Sequence, residues 1–243
     1  MGEAPDIEGH TSRAFDDELS GLHVRVVEMG GLVLLQVQEA AAAYADWDHA
    51  AARRVLERER TVNAFDAEVD ERALGLIARR QPMASDLRTV IALAKVVTEF
   101  ERIGDEAKKV ALTVLGRAGR GGGRPGFATA RDARHLARLA VNMVRLTLEA
   151  LDRLDPQVAA QVVSLDRELD DEYTDGLRRP MTRAMEDSRN FAVALEAAFV
   201  LKSMERVGDH ARNVARHVGT LGMGRQSPAI ALRALLEPPP PAA

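Results

Sequence analysis

Apolar residues recur three and four positions apart along nearly the whole chain, the spacing of one face of an α-helix. Leu19, Leu22, Val26, Met29, Val33 and Val37 form the first such stripe and predict a helix over about 15–44. Asp46-Trp47-Asp48 suits a turn, with Trp47 packed at it, and a second helix runs from there to about residue 80. Gln81-Pro82 interrupts it, because proline lacks the backbone donor and clashes inside a helix. A third helix over about 84–115 carries the stripe Phe100, Ile103, Ala107, Val110 and Val114.

The glycine- and arginine-rich stretch from Gly116 to Gly126 reads as a hinge by composition. After it the pattern restarts, with helices over about 129–154, 157–186 and 190–219. The chain therefore divides into a disordered N-terminal segment (1–14), a three-helix unit (15–116), a hinge (117–127), a second three-helix unit (128–222) and a proline-rich tail (223–243). The expected fold is all-α: two tandem three-helix bundles related by a pseudo-twofold axis, built from an internal repeat of about 100 residues.

Composition supports the helical reading. Of 243 residues, 46% are apolar and only 4% aromatic, and strong helix formers dominate. A net charge of −4 argues against a general nucleic-acid binder, which must neutralise many phosphates. Cysteine is absent, so disulfides and thiolate metal sites are excluded. The acidic, polar start lacks the form of a signal peptide. No uncharged apolar run reaches the ~20 residues of a membrane span, so no direct span is expected.

The repeat carries chemistry. Glu101-Arg102-Ile103-Gly104-Asp105 and Glu205-Arg206-Val207-Gly208-Asp209 share one pattern 104 residues apart. Residues i and i+4 share a helix face, so Glu101 with Asp105, and Glu205 with Asp209, form stacked carboxylates. The second helix of each half offers Asp66 with Asp70 and Asp166 with Asp170, at an offset of 100. Those offsets imply four extra residues between helices five and six. Four carboxylates converging in each half would call for a cation, and oxygen ligands suit Fe³⁺, Mn²⁺ or Mg²⁺, with Zn²⁺ also possible. Against this stands the ordinary reading of solvated acids paired with Arg102, Lys108, Lys109, Arg206 and Arg212. Gly104 and Gly208 each cost helix stability and so suggest a close neighbour. No Glu-x-x-His pair occurs, which disfavours a redox di-iron site. Arg117, Arg120, Arg124, Arg131, Arg134 and Arg138 either solvate the hinge or meet an acidic partner.

These residues resemble the PhoU family, regulators associated with the high-affinity phosphate transporter of bacteria. Residues 79–88, Arg-Arg-Gln-Pro-Met-Ala-Ser-Asp-Leu-Arg, are similar to the loop entering its third helix, and Glu101–Asp105 and Glu205–Asp209 match its repeated signature. The likeness spans about Phe15 to Val218. It implies a cytoplasmic, homodimeric, non-enzymatic negative regulator of the phosphate-starvation response. It also implies two partners, the ATPase subunit of the phosphate ABC transporter and a sensor histidine kinase. By position it makes Asp66, Asp70, Glu101, Asp105, Asp166, Asp170, Glu205 and Asp209 candidate ligands for a multinuclear iron or zinc cluster. Two other readings compete: a metal-dependent enzyme built on the carboxylates, and a purely structural helical interaction module.

Overall fold

The computed structural model describes residues 13–119 and 123–222. The expectations for residues 1–12, the centre of the hinge and the proline-rich tail lie outside the described residues. Six long helices account for almost all of the rest: α1 (Arg13–Asp46), α2 (His49–Arg80), α3 (Ala84–Gly119), α4 (Phe127–Arg153), α5 (Pro156–Glu186) and α6 (Phe191–Gly222). A single 3₁₀ turn, Ser188–Asn190, leads into α6. No strand occurs among the described residues, and the all-α expectation holds.

The first turn of each half is built in the same way. Trp47 and Leu154 take left-handed φ values of 61° and 49°. The following amide of each turn reaches back into the preceding helix, from Asp48 to the Ala43 carbonyl at 3.0 Å and from Asp155 to the Ala150 carbonyl at 2.9 Å. That is the hydrogen bond that closes a helix C-terminus. The same aspartates then cap the next helix, Asp48 accepting from the amides of Ala50 and Ala51 and Asp155 from those of Gln157 and Val158.

These two caps fix the repeat register. Asp155 lies 107 positions after Asp48, and the buried faces follow the same step: Ala52 with Ala159, Val55 with Val162, Glu59 with Asp166, Val62 with Leu169. The offset of 100 expected for the second helices is therefore wrong. The two Asp-x-x-x-Asp pairs look alike without being equivalent, and caps and burial decide the register. Since α3 and α6 keep the step of 104, the second half is three residues shorter between its last two helices, not four longer.

Each trio, α1–α2–α3 and α4–α5–α6, packs into its own bundle. Between the bundles, the close backbone approaches among the described residues are α1 to α4 and α3 to α6. Every helix at the seam thus faces its own counterpart, as a twofold axis requires. Valine, leucine and alanine fill the continuous core, with Val26, Met29, Val33, Phe100, Ile103, Val144 and Val207 sealed from solvent. By length and composition α1 is long and apolar enough to cross a membrane, although Glu28 and Glu39 interrupt it, and its apolar face is spent inside this core.

The seam also carries polar contacts that the sequence analysis missed. His210 Nδ1 lies 2.7 Å from Glu99 Oε2, and Asn213 donates to the same oxygen at 3.3 Å. Arg206 Nε stands 2.9 Å from the buried Glu106, which Lys109 also meets at 2.8 Å. Burial would raise the Glu99 pKa, but its hydrogen bonds from His210 and Asn213 and the nearby imidazoles hold it below the ordinary carboxylate value.

The hinge begins later than predicted. Arg117 belongs to α3, bonds Glu196 of α6 at 2.6 Å, and places its guanidinium 5.7 Å from the centre of the Trp47 ring. At the other end of the chain order, Arg13 and Ala14 join α1 rather than a disordered segment.

Adjacent glycines in α1 test the seam. A Cβ at Gly30 would fall 2.3 Å from Leu148 Cδ2 and 2.8 Å from Cζ of the buried Phe100 ring, whereas one at Gly31 meets nothing within 4 Å. Gly30→Ala should destabilise the protein by about 1–3 kcal/mol through overpacking. Gly31→Ala should stabilise it by up to ~1 kcal/mol through helix propensity. Thermal melts of the two variants check the pair.

Candidate functional site

The acidic residues cluster where the second and third helices of each bundle face one another, and the two clusters differ. In the first half, Glu101 and Asp105 sit one turn apart on α3, half-buried, with Asp66 of α2 close enough to act on Glu101. Asp70 is exposed on α2 and reaches this group only through Asp66. The fourth member is instead Glu59, which is only 4% exposed. So the structure brings together three of the four acids expected here and adds one that was overlooked.

Glu59 belongs to a buried polar network. Gln36 of α1, fully buried, donates through Nε2 to Glu59 Oε2 at 2.7 Å. A Cβ on Gly104 would lie 3.2 Å from that oxygen and 3.3 Å from Gln36 Oε1, so the glycine keeps the helix backbone close to the pair. Lys108 bonds Asp105 at 3.2 Å and stands 3.6 Å from Glu59 Oε1, beyond hydrogen-bond length. Gln36 Oε1 and Glu59 Oε1 are therefore buried without a hydrogen-bond partner. Asp66 and Glu101 have no ion-pair or hydrogen-bond partner among the described residues. Burial first, and then the neighbouring carboxylates, raise the pKa of both.

In the second half all four expected acids, Asp166, Asp170, Glu205 and Asp209, do meet, but cations of the chain are already among them. Arg212 binds the buried Asp166 and lies 2.7 Å from Asp209. Lys202 holds Glu205 at 2.6 Å. Asp170 remains exposed, its pKa raised by desolvation and by Asp166 and Asp209. Glu205 is likewise raised, burial outweighing Lys202. The place that Gln36 takes in the first half is filled here by Met143, and a Cβ on Gly208 would press on Leu169 Cδ2 at 2.0 Å and Met143 Sδ at 3.3 Å. One glycine makes room for a polar pair, its counterpart for apolar packing.

Among the described residues, no three acidic or histidine side chains stand in a geometry that would hold a metal ion. The donor chemistry nevertheless differs between halves. The first has Lys108 as its one ion-paired cation among the described residues, on Asp105, and offers Asp66 and Glu101 without an ion-pair partner beside orphaned buried oxygens, which suits a hard cation. The second has its charge answered by Arg212 and Lys202 and does not fit one. The correct register would have exposed this difference. Asp48 and Asp155 are recognisable as N-caps from sequence, and aligning on them pairs Glu59 with Asp166.

The PhoU domain profile matches the chain twice, over residues 26–114 and 133–218, one match to each bundle. The chain belongs to the PhoU family. Among its relatives, the phosphate-specific transport system accessory protein PhoU homolog of Pseudomonas putida is 38% identical over 209 residues, covering 86% of this chain and 80% of that protein. The Escherichia coli (strain K12) PhoU accessory protein is 35% identical over the same length, with 85% of it covered. A crystal structure of PhoU from Pseudomonas aeruginosa superposes with a TM-score of 0.81 at 39% identity, covering 85% of this chain and 98% of that one. The phosphate transport system regulatory protein PhoU from Streptococcus pneumoniae, 22% identical with a TM-score of 0.75, shares the fold.

The two halves should respond oppositely to loss of an acid. Glu101 has a folded pKa above its ordinary value, so its ionisation weakens the fold as pH rises through that value. Glu101→Gln should therefore be neutral below about pH 4 and stabilising by a few tenths of a kcal/mol at pH 7, discounted for its exposure. Asp166→Asn leaves the Arg212 guanidinium without its closest counter-charge and should cost roughly 1–3 kcal/mol at pH 7. Chemical denaturation at the two pH values measures both.

Proposed function

We propose that this chain is a negative regulator of high-affinity phosphate uptake and of the phosphate-starvation response. It works as a cytoplasmic adaptor between the ATPase subunit of a phosphate ABC transporter and a sensor histidine kinase, as a homodimer and without catalytic turnover. The observation that carries this reading is the pair of PhoU domains spanning both bundles, together with relatives named as accessory proteins of phosphate-specific transport at 35–38% identity. An adaptor needs rigid, extended helical faces more than a reaction centre, and six helices of 27–36 residues supply them. Deleting the gene should derepress phosphate uptake and alkaline phosphatase in phosphate-rich medium. An unchanged response would refute the adaptor role.

A metal ion, iron, zinc, manganese or magnesium, is part of the proposal for the first half. Asp66, Glu101 and Asp105 would hold it. Its charge would add to that of Lys108 on Asp105 and offset Asp66 and Glu101, which have no ion-pair partner of their own among the described residues. Asp70 is exposed and acts on Asp66 alone, so it stands outside the ligand set. Asp166, Glu205 and Asp209 are committed to Arg212 and Lys202, which leaves Asp170 exposed and by itself. Titration of Mn²⁺ or Zn²⁺ into purified protein should therefore show one class of site per chain. Glu101→Ala with Asp105→Ala should remove it, and Glu205→Ala with Asp209→Ala should leave it. Equal losses from the two double variants would rule out the assignment to one half.

A further inference from the structure

A groove of about 530 Å³ runs between the end of α1 and the outer face of α4, away from both acidic clusters. Its floor is small and apolar, with Ala41, Ala42, Ala137 and Val141. Along its rim stand Arg131, Arg134, Arg138 and Arg145. Their spacings of three, four and seven residues keep them on one side of the helix. From first to last they extend about 20 Å, at the helical rise of ~1.5 Å per residue.

These cations are poorly satisfied within the chain. Arg134 alone has a close carboxylate, Asp46. Arg131 stands 3.5 Å from the neighbouring Asp132, which already pairs with Arg179. Arg138 contacts the His135 ring at 3.3 Å, and Arg145 bonds Asn142 at 3.0 Å with Glu149 at 3.8 Å. Four arginines therefore share one close carboxylate, Asp46, with Asp132 and Glu149 more distant and each also paired with another arginine, on a protein whose net charge is −4. A local field of this sign opposes the global charge and selects acidic partners.

We propose that this groove docks an acidic amphipathic helix of a partner protein. A floor of alanines admits another helix at close range. A row of arginines on one side meets carboxylates at the three- and four-residue steps of such a helix. The length of the row, nearly four turns, matches an elongated segment and far exceeds one phosphate ion. The inference rests on the adaptor reading only in supposing that a partner exists.

The test uses the full chain and an 18-residue fluorescein-labelled peptide with glutamates on one helical face and leucine and alanine on the other. A control peptide has the same composition in scrambled order. Fluorescence anisotropy at low salt should show the patterned peptide binding at least tenfold tighter than the control. Arg138→Glu with Arg145→Glu should weaken it at least tenfold. Ala42→Trp, which fills the floor and leaves the charge intact, should weaken it comparably, and Arg153→Glu, outside the groove, should not. Melting curves of the variants confirm that each is folded. Equal binding of the two peptides, binding unaffected by the Arg138/Arg145 or Ala42 changes, or a single-stranded oligonucleotide that outcompetes the peptide would each overturn the proposal. Any of those results combined with the derepressed deletion phenotype would reject the groove and leave the adaptor reading standing.

Discussion

A carboxylate held almost out of water must be answered by a positive charge or by hydrogen bonds, since its desolvation otherwise costs several kcal/mol. Both bundles bury one acid at the equivalent turn of their second helix, Glu59 and Asp166. Much of what distinguishes the two halves follows from how that one demand is met. Arg212 meets it in the second half with a guanidinium, whose several donors serve Asp166 and Asp209 together. The lysine at the equivalent position, Lys108, reaches Asp105 but leaves one oxygen of Glu59 short, and a buried amide from Gln36 covers the other.

The same glycine plays a different part on each side. At Gly104 the missing side chain leaves space for a polar pair beneath the helix, and at Gly208 it lets Leu169 and Met143 close up against the backbone. Two nearly identical sequence motifs therefore rest on different foundations. The motif marks a place in the fold, and its surroundings decide its electrostatic character.

The architecture was legible because its signals are local and repeated. Apolar spacing locates all six helices within a few residues, and Gln81-Pro82 marks one of the boundaries. The hinge was drawn too wide because composition says nothing of Arg117, whose contacts to Glu196 and Trp47 keep the last turns of α3 helical. The acid pairs on α3 and α6 were found because two carboxylates four residues apart share a face. The pairs on α2 and α5 look equivalent by chemical resemblance, whereas the N-caps Asp48 and Asp155, and the packing that agrees with them, make Glu59 rather than Asp66 the counterpart of Asp166. Glu99 and Glu106 escape a reading by spacing because neither has a carboxylate partner four residues away, and the sequence does not show what lies opposite them.

The seam has a direction built into it. Under the step of 104 that relates α3 to α6, Ser203 is the counterpart of Glu99 and His210 that of Glu106. Were two copies of the first bundle to associate across this surface, Glu99 would meet Glu106 and Lys109, the counterparts of the His210 imidazole and of Asn213, and Glu106 would keep an arginine in Arg102, the counterpart of Arg206. Two copies of the second bundle would present that imidazole to a serine and lose the ion pairs altogether. The carboxylates that His210 and Arg206 meet across the seam both come from α3, so the second bundle depends on the first for these ion pairs and the halves of the duplicated scaffold are not interchangeable.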